Sequence, residues 1–261
     1  MCNAAAASDG ALDRDELRSL FDQYLNHYSK LFANAHAQRP NAIFSRDLSF
    51  VILGLATMYK TTNAEDYRKK LARFCDILIE FEVPFRGSAG SLASGFLMRM
   101  DSPRTAFVDC HSAALLALTQ ASRYLDDARL VQAIDRGFAS FSVVSCSLTA
   151  GSPSRIDTVS THMIDRLGTR RTQNAFWNFK AGLTLRFLGA LRSSPHPALQ
   201  SIAARHAERI ARFETILRRQ IASSISQRED GLEIRTAVCS AETNSETQPW
   251  VMLGLFGHPA D

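Results

Sequence analysis

Four short stretches of this 261-residue chain gather side chains able to do chemistry: Ser45-Arg46-Asp47, Asp109-Cys110-His111, Trp177-Asn178-Phe179-Lys180 and Glu246-Thr247-Gln248-Pro249-Trp250. Carboxylates and an imidazole can move protons, and histidine does so near neutrality because its unperturbed pKa lies there. Cleaving a glycosidic bond takes two carboxylates flanking it; Asp47, Asp109 and Glu246 are the candidates, with Glu242 and Asp101 nearby. His111 is the candidate proton carrier. Arg46 and Lys180 could hold an anionic group, and Trp177 and Trp250 could stack on the apolar face of a sugar. Asn178 and Gln248 could bond its hydroxyls. The plainer reading of each stretch is a helix cap, because every helix start has N–H groups to satisfy. Four such stretches at equivalent places favour a shared pocket.

The elements that must position them come in two kinds. Leu48–Tyr59, Ala113–Leu125, Ala181–Leu191 and Trp250–Phe256 are apolar on nearly every face, the pattern of helices buried on all sides. Asp13–Ala35, Ala64–Glu82, Asp126–Phe141 and Pro197–Ile225 are charged and amphipathic. In the second of these, Tyr67, Leu71, Phe74, Leu78 and Phe81 recur at one-face helical spacing. The two kinds alternate strictly along the chain, outer then inner. Polar residues leading into the inner helices fall near positions 47, 111, 178 and 248, so a hairpin-sized unit repeats. Asn63 with Asp66 reads as the cap of the second outer helix, Asp126-Asp127 opens the third, and Ser194 with Pro195 and Pro197 precedes the fourth.

Between outer and inner helices lie strand-like runs. Gly95–Met100 and Thr105–Val108 flank Asp101-Ser102-Pro103, a turn signal, while Ser142–Leu148 and Leu232–Val238 read alike. These connections would place small β-hairpins at one mouth. Gly87-Ser-Ala-Gly-Ser, Gly151-Ser-Pro-Ser and the polar stretch Ser152–Thr172 read as loops, the last as an exposed loop or a lid.

An inner ring of buried helices inside an outer amphipathic ring is an α/α toroid. The stretch Phe107-Val-Asp-Cys-His-Ser-Ala-Ala-Leu-Leu-Ala-Leu, with Tyr124-Leu-Asp-Asp-Ala-Arg-Leu and a helix ending near Gly137, resembles one hairpin of the six-hairpin glycosidase-like toroids. Glucuronyl epimerases, N-acylglucosamine epimerases, unsaturated glucuronyl hydrolases and heparinase-type lyases share that architecture. The resemblance covers most of residues 13–256 in pattern and about residues 95–140 in detail. It implies an all-α fold, a small or incomplete toroid of about four hairpins with short β-hairpins at one mouth. It also implies a carbohydrate-active protein that binds or acts on a saccharide, uronates among them, by acid/base chemistry in the toroid cleft. A glycosidase, a polysaccharide lyase and a sugar epimerase all fit. Lyases of this kind use His, Tyr, Asn and Arg; His111, Asn178 and Arg46 match in type, whereas Tyr59 and Tyr124 stand at the far ends of the inner helices. The alternative is a non-catalytic accessory toroid that binds a glycan or a protein within a larger polysaccharide-handling system. Four hairpins in place of six leave room for a partner chain or a second copy to close the ring.

Composition narrows the class further. With 46% hydrophobic residues and a net charge of +4, the chain is neither disordered nor charge-driven. No apolar run approaches the ~18–20 residues of a membrane span. The 30 Lys and Arg are scattered and form no basic stripe for nucleic acid. Without a cationic start and apolar core at residues 1–14, a cytoplasmic location is expected, with residues 1–12 a disordered tail before a single domain over 13–261. Five cysteines form no CxxC pair. Cys110-His111 is similar to the zinc-binding Cys-His pair of lanthionine-cyclase toroids, and Cys239 could add a sulfur. The rest of that motif is absent, so buried free thiols, no metal and no cofactor are expected.

Overall fold

The computed structural model describes residues 13–38, 42–86, 92–101, 106–147, 155–161, 176–228, 231–238 and 247–256. They are mainly helical, with a few short antiparallel β-hairpins. The chain divides into two compact units, residues 1–42 and 43–261. The expected tail at residues 1–12 lies outside the described residues.

The first unit contains α1 (Arg14–Gln38). Its start is a reciprocal capping box: Asp13 Oδ1 accepts from the Asp15 and Glu16 amides at 2.8 Å, and Glu16 Oε2 accepts from the Asp13 amide at 3.0 Å. Tyr24, Tyr28 and Phe32 run in ring contact along it.

In the second unit each of the first three apolar helices is followed by an amphipathic helix. The apolar helices are α2 (Ser45–Thr62), α4 (Val108–Ala121), α6 (Asn178–Arg192) and α9 (Thr247–Phe256). The amphipathic ones are α3 (Glu65–Ile79), α5 (Ala128–Ala139), and the pair α7 (Pro197–Arg205) and α8 (Ala207–Ala222). α2 packs on α4, α4 on α6 and α6 on α9, so the inner helices are neighbours in chain order. α3 backs α2, α5 backs α4, and α7 with α8 backs α6. The fully buried side chains between the layers, Leu55, Leu71, Leu115, Phe138 and Phe187 among them, each contribute about 1.5–3 kcal/mol of burial. Phe138, Phe141, Phe187 and Phe213 join the layers with ring centroids 6.0–6.3 Å apart.

Each connection from an outer to an inner helix carries a two-stranded hairpin. β1 (Glu82–Arg86) pairs with β2 (Leu92–Phe96), β3 (Phe141–Ser147) with β4 (Arg155–Thr161), and β5 (Ile225–Arg228) with β6 (Gly231–Ile234). Several boundaries differ from the sequence expectation. The first hairpin starts at Glu82 and not at Gly95, and Val108 opens α4 instead of closing a strand. Arg155–Thr161, expected in an exposed loop, is a full-length partner of β3 with Thr158, Val159, Ser160 and Thr161 buried. The expected helix Pro197–Ile225 breaks at His206, whose φ of −110° and ψ of 17° leave the helical well, and Ile225 begins β5. Asn63 does not cap α3. It ends α2 in the left-handed conformation (φ 53°, ψ 24°), with its amide donating to the Tyr59 carbonyl at 2.8 Å, a place asparagine tolerates well. Among the described residues no helix is long and apolar enough to cross a membrane.

Candidate functional site

The N-caps of α2, α4 and α6 are Phe44, Phe107 and Trp177, all extended and none able to cap with its side chain. The backbone of the hairpin connections supplies part of what the caps lack. The Ser45 amide donates to the Met98 carbonyl at 3.0 Å and the Asn178 amide to the Thr236 carbonyl at 2.8 Å. Met98 lies between β2 and α4, and Thr236 between β6 and α9. Each connection thus ties the start of the inner helix before it.

The polar residues of these first turns are therefore not helix caps; they meet one another. Arg46 Nη1 donates to Asp109 Oδ2 at 3.1 Å, and Lys180 Nζ lies 3.1 Å from Asp109 Oδ1. One charged residue from each of three consecutive inner helices enters this cluster. Asp109 and Lys180 are nearly buried, while the Arg46 side chain is 31% exposed. The Lys180 ammonium sits 5.5–5.7 Å from the ring centroids of Trp177, Phe107 and Phe179, where ring quadrupoles attract a cation. Trp177 and Phe44 are exposed at the edge, and Arg99, paired with Asp101 at 3.0 Å, lies over the Phe44 ring. Asp47 is half-buried beside Arg46 on α2. The cluster of Arg46, Asp109 and Lys180 lies under an aromatic rim.

Other expected site residues are used elsewhere. His111 is fully buried and faces the outer layer: Nδ1 accepts from the Phe96 amide at 3.2 Å, which leaves the proton on Nε2, 3.0 Å from the Gly137 carbonyl and from Ser140 Oγ. Burial lowers its pKa from 6.5 to about 4, so the ring is a neutral strut between α4, β2 and α5. Asn178 is also fully buried. Its Nδ2 donates to the Arg235 carbonyl at 2.6 Å and its Oδ1 accepts from Gln220 Nε2 at 3.2 Å, while Gln220 Oε1 accepts from Thr158. Gln248 Nε2 donates to the Ile234 carbonyl at 3.1 Å, fixing the start of α9. Trp250 stacks on Phe50 at 5.2 Å and 19°, packed with Ala113, Phe179 and Leu183. Glu246, Glu242 and Cys239 lie outside the described residues. Cys75 and Cys110 are buried free thiols whose pKa burial raises, that of Cys110 to about 12. Among the described residues no three His, Cys, Asp or Glu are grouped to hold a metal ion.

A cavity of about 210 Å³ lies among all four inner helices, on the far side of the Phe50–Trp250 stack from the rim. Its polar lining is Thr57 and Lys60 of α2, Gln120 of α4, Arg123 and Tyr124 just after α4, and Arg186 of α6. Of these residues only Tyr124 was weighed from sequence, although a signal for the cations was present. The apolar segments Ala113–Leu125 and Ala181–Leu191 each carry a single cation, Arg123 and Arg186, and Lys60 directly follows the segment Leu48–Tyr59; all three cations line this space. No protein-family model matches the chain, and no curated protein matches it in sequence. Function is therefore argued from the site.

Proposed function

We propose that this chain is a saccharide-binding domain, built as a small or open α/α toroid, that holds an acidic glycan on the rim of Phe44, Phe107 and Trp177. The carrying observation is the repeated first turn: an aromatic N-cap on three consecutive inner helices, followed by charges that pair across helices. Exposed rings offer flat apolar platforms, and the cations Arg46 and Lys180 beneath them suit a uronate carboxylate. The side-by-side order α2, α4, α6, α9, each of the first three backed by outer helices, supports the toroid reading. Binding fits this geometry better than turnover, because His111 offers no open nitrogen and Asp109 spends both oxygens on cations.

Calorimetric titration with neutral and uronate-containing oligosaccharides tests the reading. Wild type is expected to bind at least one uronate oligosaccharide without forming product. Trp177→Ala is expected to weaken it about tenfold, ~1.4 kcal/mol, and Arg46→Gln to erase the preference for acidic over neutral sugars. If nothing in the panel binds, the saccharide reading falls. Product formation lost in Asp47→Asn would replace the binding domain with an enzyme.

A further inference from the structure

α1 carries two apolar stripes where a surface helix ordinarily carries one. Leu25 and Phe32 are buried and Phe21 and Tyr28 partly so, at spacings of 4, 3 and 4, the face this helix turns inward. A second stripe, Leu17, Leu20, Tyr24, His27 and Leu31, recurs at spacings of 3, 4, 3 and 4. It lies about a quarter-turn round the helix from the first. All its members are exposed, Leu17 53%, Leu20 50% and Leu31 49% among them. The Tyr24 ring lies 4.3 Å from that of Tyr28, and His27 stands edge-on to Tyr28 at 5.6 Å, so the inward stripe steadies the outer one.

Alternating steps of 3 and 4 are the spacing of a helix that packs along a second helix. Aligned leucines and a tyrosine facing water form the kind of patch that marks an interaction surface. The flanking charges select the second helix. Glu16 borders the seam near one end and Lys30 near the other, two heptads apart, and both are exposed. Consider two α1 helices paired antiparallel, with Leu20 opposite the second copy's Tyr24. Leu17 then comes opposite the second copy's His27, and Glu16 beside its Lys30. The two-fold axis repeats each contact, so one sequence supplies two opposite-charge pairs. A parallel pair would set Glu16 beside the second copy's Phe21 and bring no opposite charges together. Glu16 Oε2 accepts from the neutral Asp13 amide at 3.0 Å, which leaves its charge in place for Lys30.

We infer that α1 is a self-association helix: two copies of the chain pair antiparallel along Leu17, Leu20, Tyr24, His27 and Leu31, with Glu16 of each beside Lys30 of the other. From Leu17 to Leu31 the seam is about 21 Å long. It is smaller than a standard interface of about 1,200–2,000 Å², so the dimer is weak, with a Kd on the order of 10–100 µM. The capping box and the inward stripe already hold α1 as a helix, so pairing adds little ordering cost. The surface is separate from the saccharide reading, since Phe44, Phe107 and Trp177 all lie outside α1.

Sedimentation velocity of the full chain over about a thousandfold range of concentration tests the proposal. Wild type is expected to pass from monomer to dimer and no further, because a two-fold pair uses up the seam. Leu20→Asp, at an exposed position, should weaken the dimer at least about tenfold while circular dichroism stays unchanged. Lys30→Glu sets carboxylate against carboxylate, and Glu16→Lys sets ammonium against ammonium, so each alone should weaken it about fivefold. Mixed in equal amounts, these two variants are complementary at both ends and should associate about as well as wild type does. A chain that stays monomeric throughout, a dimer untouched by Leu20→Asp, or a mixture no stronger than its separate components would overturn the proposal. If Glu16→Lys frays the helix start, Leu20→Asp and Lys30→Glu decide together, and wild-type association in either overturns it.

Discussion

Asp109 and His111 stand two residues apart on α4, yet the helical turn between them sends them to different layers. Asp109 joins α2 and α6 through charge, while His111 joins β2 and α5 through neutral hydrogen bonds. Protonating His111 would put a second donor against the Phe96 amide and a charge into a fully buried site. This makes the imidazole a pH-sensitive strut. The unfolded chain takes up the proton near 6.5 and the folded one only near 4, so the unfolded state binds more protons between those values. Stability is accordingly flat above about pH 6.5 and falls as pH drops toward 4. One proton over that window amounts to roughly 3 kcal/mol. Urea unfolding followed from pH 7 to pH 4 should show wild type losing about that much more than His111→Gln. Parallel curves for the two would show that the folded ring titrates normally and is not the strut described.

At the scale of elements, the contact between α6 and α9 depends on two glycines. A Cβ on Gly182 would fall 2.3 Å from the Trp250 carbonyl oxygen, and one on Gly254 2.5 Å from the Gly182 carbonyl oxygen. Backbone cannot rotate away as a side chain does. Gly182→Ala is therefore expected to push the helices apart and cost about 1–3 kcal/mol or more. Gly189→Ala, one further turn and more along the same helix, meets nothing within 4 Å and should stabilise by about 0.4–1 kcal/mol through helix propensity and a stiffer unfolded chain. Thermal denaturation of the two variants checks this contrast, and shifts of the same sign would contradict it. The helices were legible because periodicity reports burial directly, as in Tyr67, Leu71, Phe74 and Leu78 on α3. The strands were less so. The α3 pattern runs on through Phe81, which hid the start of β1. β4 hid because its buried side chains are mostly hydroxyls, two of them bonded to partners far away in sequence: Thr161 Oγ1 donates to the Ala106 carbonyl at 2.6 Å, and Thr158 bonds to Gln220. No local pattern announces such partners.

Taken as a whole, the inner helices present two chemically different ends, an aromatic rim with a paired charge cluster and a cationic cavity, divided by the Phe50–Trp250 stack. The rim was partly legible in sequence, since residue types at the starts of apolar segments marked it. Which of those residues meet was not, because Arg46, Asp109 and Lys180 lie over 60 positions apart and converge only through helix packing. The cavity was overlooked because one arginine within an apolar run reads as an exception to burial and not as a member of a set. The chain's two tryptophans fall one to each end, Trp177 exposed on the rim and Trp250 against the cavity, so they report on the ends independently. In Trp250→Phe the remaining Trp177 emission should be strongly quenched by acrylamide, and a rim-bound uronate oligosaccharide should protect it. In Trp177→Phe the remaining Trp250 emission should be quenched less, and the oligosaccharide should leave it unchanged. If the oligosaccharide alters both signals alike, the two ends are coupled and the Phe50–Trp250 stack does not separate them. If it alters only the Trp177 signal, the rim binds independently of the far end of the same array of helices.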